Sequence, residues 1–392
     1  MLPSWARLAF AVFAVSWGAN QFAPMQLVYR DELGLGSGSF TAMLGSYVLG
    51  LIPALLWFGR LADRIGRRPV IRAMIPVSVL SSIVLLLGTD VPALLYLGRI
   101  LAGLASGMAF GPGTAWMKEL SGGPGVGARR AAVSLSAGFG SGALFAGLLA
   151  QWLPAPGRVP YLVHIALMLV ALVLVWAVPD AHRPRAVRGS WRLSAFSSRR
   201  FRWGVVPWAP WVFGCATVSF ATMPPIVSDR VDGVAVAFTG VVAALTLLTG
   251  ALIQPVARRI TRHGEERGVR AGVGLGVLGF TCGGVAVLVD GPAAVIAVLV
   301  TAVFLGGGYG MLLVSGLVTV ENLAPPEELA QTVAVFYCLI YLGFAVPFLI
   351  SLAAPHIGFV ACFAVAVVLL VLALVPGRVR DDQQAAALVS SR

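Results

Sequence analysis

Apolar runs of about 20 residues, long enough for a helix to cross a hydrocarbon core of about 30 Å, recur along the whole chain between short polar, glycine- or proline-bearing breaks. "LLYLGRILAGLASGMAFGPGTAW" and "VACFAVAVVLLVLALV" are two of them. With 58% hydrophobic residues, 11% charged residues and a mean hydropathy of +0.90, 392 residues hold too little charge to solvate a soluble surface. The chain is therefore expected to be an all-α membrane protein. Twelve spans are predicted, at 8–29, 39–58, 70–88, 92–117, 129–152, 160–178, 203–227, 236–257, 270–289, 292–320, 330–352 and 356–376. The first run outlasts the apolar core of a cleavable signal and is read as an uncleaved helix.

When both termini and the even-numbered connections are placed on one side, that side collects 24 of the 28 lysines and arginines. Among them are Arg60, Arg64, Arg67, Arg68 and Arg72 after span 2, seven arginines from Arg183 to Arg202, and five from Arg258 to Arg270. The positive-inside rule makes this side, with both termini, cytoplasmic, so a cell inner membrane location is expected. Loops beside anionic lipid account for the net charge of +12 without a nucleic-acid partner, for which no soluble basic module is present. Cys215, Cys282, Cys338 and Cys362 all fall within spans as small apolar residues, with neither a disulfide framework nor metal-ligand spacing. There is no phosphate-cradling loop with its lysine, no plausible triad and no metal cluster, so neither catalysis nor a cofactor is expected.

The longest polar stretch between spans, Asp180 to Arg202, separates six spans from six. The expected parts are a first six-helix bundle at 1–179, a cytoplasmic linker at 180–202, a second bundle at 203–377 and a tail at 378–392. The halves repeat at an offset near 200. Pro24 matches Pro224, "DVPA" at Asp90 matches "DGPA" at Asp290, and "KEL" at Glu119 is echoed by "VENL" at Glu321.

"GRLADRIGRR" after span 2 resembles the motif between helices 2 and 3 of the major facilitator superfamily, matched by Gly59, Asp63, Arg64, Gly66, Arg67 and Arg68. "RILAGLASG", with Arg99, Gly103 and Gly107, resembles that family's helix-4 motif. The resemblance covers nearly the whole chain. It implies two pseudo-symmetric six-helix bundles, a mid-depth substrate site between them, and access alternating by rocking. It also implies that Asp63 and the arginines form a gate locking against the start of helix 11, here "APPEELAQ", where Glu327 and Glu328 suit a positive helix end. The second-half counterpart of Asp63 is Arg258, so such a latch is one-sided.

Within the spans, polar residues are few enough to be informative. Arg99 stands about seven residues into span 4, roughly 10 Å deep, where a charge costs at least ~2.5 kcal/mol unless it faces protein or water. It shares a four-residue stripe with Gly103, Gly107 and Gly111, while its repeat counterpart is Leu299. Asn20 and Gln21 lie at similar depth in span 1, opposite Phe220 and Ala221 in the repeat. Trp17, Trp211, Tyr309 and Tyr341 are candidates to line the same cavity. His164, the one histidine inside a span rather than at its first residue, is the candidate for proton coupling. Span 5 carries Gly138, Gly142 and Gly147 in a pattern resembling the family's antiporters, although Ala143 stands where a proline is expected; tight packing by Ser134, Gly138 and Gly142 is an equal explanation. All sixteen acids lie in loops or at span ends. With no mid-membrane carboxylate to balance a cation, a neutral or anionic amphiphile is the expected substrate.

The expectation is thus a monomeric secondary transporter in the lipid bilayer, most simply a proton-coupled efflux antiporter of a small-molecule drug or metabolite. An importer or facilitator of an organic acid or sugar, and a membrane sensor on a transporter fold, are the alternatives.

Overall fold

A computed structural model describes residues 2–123, 125–179, 198–324 and 328–374, and among these every regular element is helical. Most of the linker, the tail, and 325–327, where the gate was expected to find its partner, lie outside the described residues. The first half comprises α1 (Ser4–Asn20), α2 (Met25–Leu33), α3 (Ser37–Ile65), α4 (Arg67–Leu87), α5 (Ala93–Glu119), α6 (Val126–Trp152) and α7 (Val159–Trp176). Beyond the linker follow α8 (Arg199–Gly204), α9 (Trp211–Ala221), α10 (Met223–Ile226), α11 (Ala235–Leu252), α12 (Gln254–Arg262) and α13 (Glu265–Leu288). The last elements are α14 (Pro292–Leu323), α15 (Leu329–Tyr341), α16 (Ala345–Ile357) and α17 (Phe359–Leu372).

Among the described residues, nine helices are long and apolar enough to cross a membrane, and Trp211–Ile226 and Phe359–Leu372 are shorter apolar helices. With α1 and α2 together filling the first predicted span, every predicted zone carries helix. Four of them are interrupted, each at or beside a proline: α1 to α2 at Pro24, α9 to α10 at Pro224, α11 to α12 at Pro255, and α15 to α16 through the 3-10 turn Leu342–Phe344 before Pro347. Proline has no N–H for the carbonyl four residues earlier, so a helix crossing it loses a bond. In lipid that carbonyl needs another donor.

The helices pack into two compact units. One draws on the described residues of Met1–Arg188 with Phe220–Leu248, the other on those of Gly189–Ser219 with Thr249–Arg392. In the first unit, small residues let backbones meet. A Cβ added at Gly103 would strike the Tyr47 carbonyl across the α3–α5 seam, and one at Gly142 would strike the Trp17 carbonyl across α1–α6. A Cβ at Gly138 would likewise strike the Phe13 carbonyl, and one at Gly147 would come within 3.0 Å of the Cα of Gly240 on α11. Gly111, the last member of the predicted stripe, faces open space. Leu8, Val12, Met74, Trp116, Met168 and Val175 fill the core between these seams.

The turn joining α3 to α4 is made by Gly66, whose φ of 99° favours glycine, and its repeat Gly264 has a φ of 143° between α12 and α13. Each turn is tied to the end of a neighbouring long helix. Arg67 pairs with Glu119 of α5 at 3.2 Å, and Glu265 accepts from Asn322 of α14 at 2.5 Å. The repeat keeps the tie and reverses which side of it is acidic.

Candidate functional site

The interruption of the first span falls where sequence placed Asn20 and Gln21. In an uninterrupted helix the N–H of residue 24 would reach the Asn20 carbonyl, but residue 24 is proline. The Ala23 N–H takes that place, donating to Asn20 O at 3.2 Å, and this diverts it from the Ala19 carbonyl four residues before it. Arg99 fills the vacancy. From α5 its Nη1 donates to Ala19 O at 3.0 Å. A cation at the C-terminal end of α1 also meets the negative pole of the helix dipole. The Arg99 guanidinium lies between the Phe22 and Tyr47 rings, 4.8 and 4.6 Å from their centroids. Two cation–π contacts of ~0.5–2 kcal/mol each and a charge-assisted bond of ~1.5–3 kcal/mol are together comparable to an insertion cost of ~2.5–3.5 kcal/mol. Arg99 is 1% exposed and forms no ion pair among the described residues.

Gln21 opens a second chain of contacts. Its Nε2 donates to Ser82 Oγ at 3.3 Å, and Ser82 lies 2.6 Å from His164 Nδ1. The other ring nitrogen, Nε2, is 3.1 Å from the Ala14 carbonyl. A carbonyl only accepts, so Nε2 carries a proton and, in the neutral ring, Nδ1 accepts from Ser82. Trp17 stacks on the imidazole with centroids 5.9 Å apart and planes 6° from parallel. Ring and backbone are so close that a Cβ at Gly18 would overlap the imidazole. His164 and Trp17 are both buried, whereas Asn20 at the end of α1 is partly exposed. Gln21 Oε1 and Arg99 Nε, both buried, have no hydrogen-bond partner among the described residues. Tyr29 and Tyr161 pair through their hydroxyls in the same unit.

The remaining candidates, Trp211, Tyr309 and Tyr341, belong to the second unit. Phe213 gathers two of them, stacking on Tyr341 at 4.5 Å and 18° and meeting Tyr309 at 5.4 Å and Phe344 at 5.4 Å. Trp211 stands apart, edge-on to Phe280 at 5.7 Å. The proline break of this unit is capped in its own way. Pro347 deprives the Gly343 carbonyl of its helical donor, and Thr217 Oγ1 lies 3.3 Å from it. Phe213, Thr217, Ser82, Phe22 and Tyr47 were not singled out from sequence. As single aromatics or hydroxyls in apolar runs they carry no signal until the helices are rotated into place.

At the basic turn, Arg67 is the centre. It pairs with Asp63 at 2.9 Å and Glu119 at 3.2 Å and donates to Ala62 O at 3.3 Å. Arg68 donates to the Trp176 carbonyl of α7 at 2.8 Å. Arg64 is exposed, and Gly59 lies inside α3 facing open space. Of the two motif glycines, Gly66 alone makes the turn.

Interrupted spans, glycine seams and a buried charge capping a helix break describe a polytopic helical membrane protein. A profile of the Major Facilitator Superfamily matches residues 8–264; the chain belongs to that superfamily. Over 151 residues it is 30% identical to a triacylglyceride transporter of Mycobacteroides abscessus, an alignment covering 36% of this chain and 28% of that protein. Among solved structures, a POT family transporter in complex with 5-aminolevulinic acid superposes with a TM-score of 0.74 at 15% identity over 95% of both chains. A nucleoside transporter gives 0.74 at 14% identity, over 96% of this chain and 99% of that one. Likenesses at such identities concern the fold.

Proposed function

We propose that this transporter is a secondary, alternating-access carrier of a small neutral or anionic amphiphile, exporting it from the cytoplasm against an inward flow of protons. The observation that carries the proposal is the break in the first span. Gln21 Oε1 and Arg99 Nε have hydrogen-bonding capacity to spare there, Asn20 is partly exposed at its edge, and the buried charge there, Arg99, is positive. A polar or anionic head suits such groups, and among the described residues no buried carboxylate is present to balance a cation. The apolar cargo named for the Mycobacteroides abscessus relative supports an uncharged or weakly charged amphiphile.

His164 serves this account best as a positioning residue. Both of its nitrogens are bonded and its face is covered by Trp17, so it holds α7, α4 and α1 in register around Gln21. The Asp63–Arg67–Glu119 cluster does the same for the basic turn, and its gating role is part of the proposal.

Membrane vesicles of both orientations test direction and coupling. With a fluorescent medium-chain carboxylate as probe, everted vesicles should accumulate it when their interior is acidified and lose it when the gradient is collapsed. Accumulation confined to right-side-out vesicles would replace export with import. Absence of movement in either orientation would remove the transport assignment for this substrate class.

A further inference from the structure

We propose that Gln151, at the end of α6, is a latch: its side chain caps the first turn of α11, and breaking that cap is the step that opens this end of the molecule. The proposal rests on the alternating-access reading and adds the residue that holds one of its states. The place is remote from the basic turn. Glu119, which Arg67 holds there, ends α5; α6 starts seven residues later at Val126 and its 27 residues carry the chain about 40 Å away.

A helix leaves its first N–H groups without intrahelical acceptors, and the side chain just before it commonly accepts from its second or third residue. α11 starts at Ala235, and the residue before it is Val234, whose side chain has no acceptor. The second and third residues, Val236 and Ala237, donate instead to Gln151 Oε1 at 3.0 and 3.2 Å. The same side chain closes the loop ahead of the helix, with Nε2 donating to Gly233 O at 3.0 Å. A glutamine from the first half of the sequence thus serves as the N-cap of a helix in the second. Nearby, Arg30 Nη1 of α2 donates to Ser228 Oγ, in the 3-10 turn that precedes α11, at 3.5 Å.

Behind the cap the two helices share a seam of small residues. A Cβ at Gly240 would lie 2.8 Å from the Ala143 carbonyl, and one at Gly140 would lie 2.9 Å from Leu248 Cδ2, so the close approach at Gly147 continues along both helices. Two features make this a contact that can part. Residues 220–248 belong by sequence to the second six-span half yet pack with the first, whereas no described part of 1–179 packs with the second unit. The seam is also uncharged, since α11 and residues 131–152 of α6 hold no Asp, Glu, Lys or Arg. Separating them strands no ion, and the two freed N–H groups stand beside a partly exposed side chain, where water can take the place of Gln151. The polar cap is then the one specific bond set that opening has to break between these helices.

The test is the rate at which a water-soluble maleimide alkylates Ala244→Cys in the full-length protein in lipid nanodiscs, read site by site by mass spectrometry. Ala244 is 4% exposed and lies between Gly240 and Leu248 on the same four-residue stripe of α11. Adding Gln151→Leu should raise the rate at least ~fivefold, the size of a lost N-cap. Gln151→Glu keeps the acceptor and sets a negative charge at the positive helix end, so its rate should stay within about twofold of the parent. A reporter at Ala105→Cys, in the core of the first unit, should keep its rate throughout. No acceleration by Gln151→Leu, equal acceleration by Gln151→Glu, or acceleration as large at Ala105→Cys would overturn the latch. Gly147→Leu wedges the seam directly and separates the two failures. Acceleration by Gly147→Leu alone would remove the latch and leave an opening seam, whereas acceleration by neither would overturn the latch and count against alternating access at this end.

Discussion

Arg99 donates to a carbonyl that an interrupted helix leaves free, and this explains why a charge is kept at a depth where its repeat partner is Leu299. The breaks at Pro24 and before Pro347 are not equivalent: one is capped by a cation between two rings, the other by the hydroxyl of Thr217. Arg99→Leu should therefore loosen the turn at 21–24. We expect amide hydrogen exchange there to accelerate at least tenfold, equivalent to ~1.4 kcal/mol of lost protection, while α5 around residue 103 stays protected. Arg99→Lys keeps the charge but cannot lie flat between both rings, and should fall between wild type and Arg99→Leu. Unchanged exchange at 21–24 in Arg99→Leu would show that the cap does not hold the break.

The helices depend on seams at which a single methyl group matters. A Cβ at Gly103 would overlap the Tyr47 carbonyl of α3, whereas one at Gly274 in α13 meets nothing within 4 Å. Gly103→Ala should cost ~1–3 kcal/mol through forced separation of α3 and α5. Gly274→Ala should be neutral or stabilising by up to ~1 kcal/mol from helix propensity. Thermal unfolding in detergent reads both, and equal effects would mean that the α3–α5 seam gives way freely. Much of this level is readable from sequence, because a span's length, a proline's missing N–H and a four-residue glycine stripe are local. The turn at Gly66 and the close approach at Gly103 follow from such signals, whereas the break before Pro24 interrupts a span read from sequence as one helix at 8–29. Which face of a helix meets which neighbour is not local. Gly111 continues the stripe in sequence and faces nothing, Gly59 matches a motif and makes no turn, and Phe213 became visible as a hub only once Tyr309 and Tyr341 were placed around it.

At the scale of the molecule, the chain belongs to the major facilitator superfamily, its buried Arg99 is positive, and the acids among the described residues lie at helix ends and loops. The positive charge, expected as a substrate contact, also caps the helix break inside the first unit through its Nη1. Its influence on cargo would therefore be exerted through the turn at 21–24 and through the field it leaves there. The account accordingly requires selection by head-group charge more than by skeleton. The most direct measurement is flux into proteoliposomes of three fluorescent amphiphiles that share one skeleton and carry a carboxylate, a primary amide or a trimethylammonium head. The account predicts saturable transport of the carboxylate or amide compound at a rate at least tenfold above the ammonium compound, with the difference shrinking in Arg99→Leu. Preferential transport of the ammonium compound by the wild-type protein would contradict it.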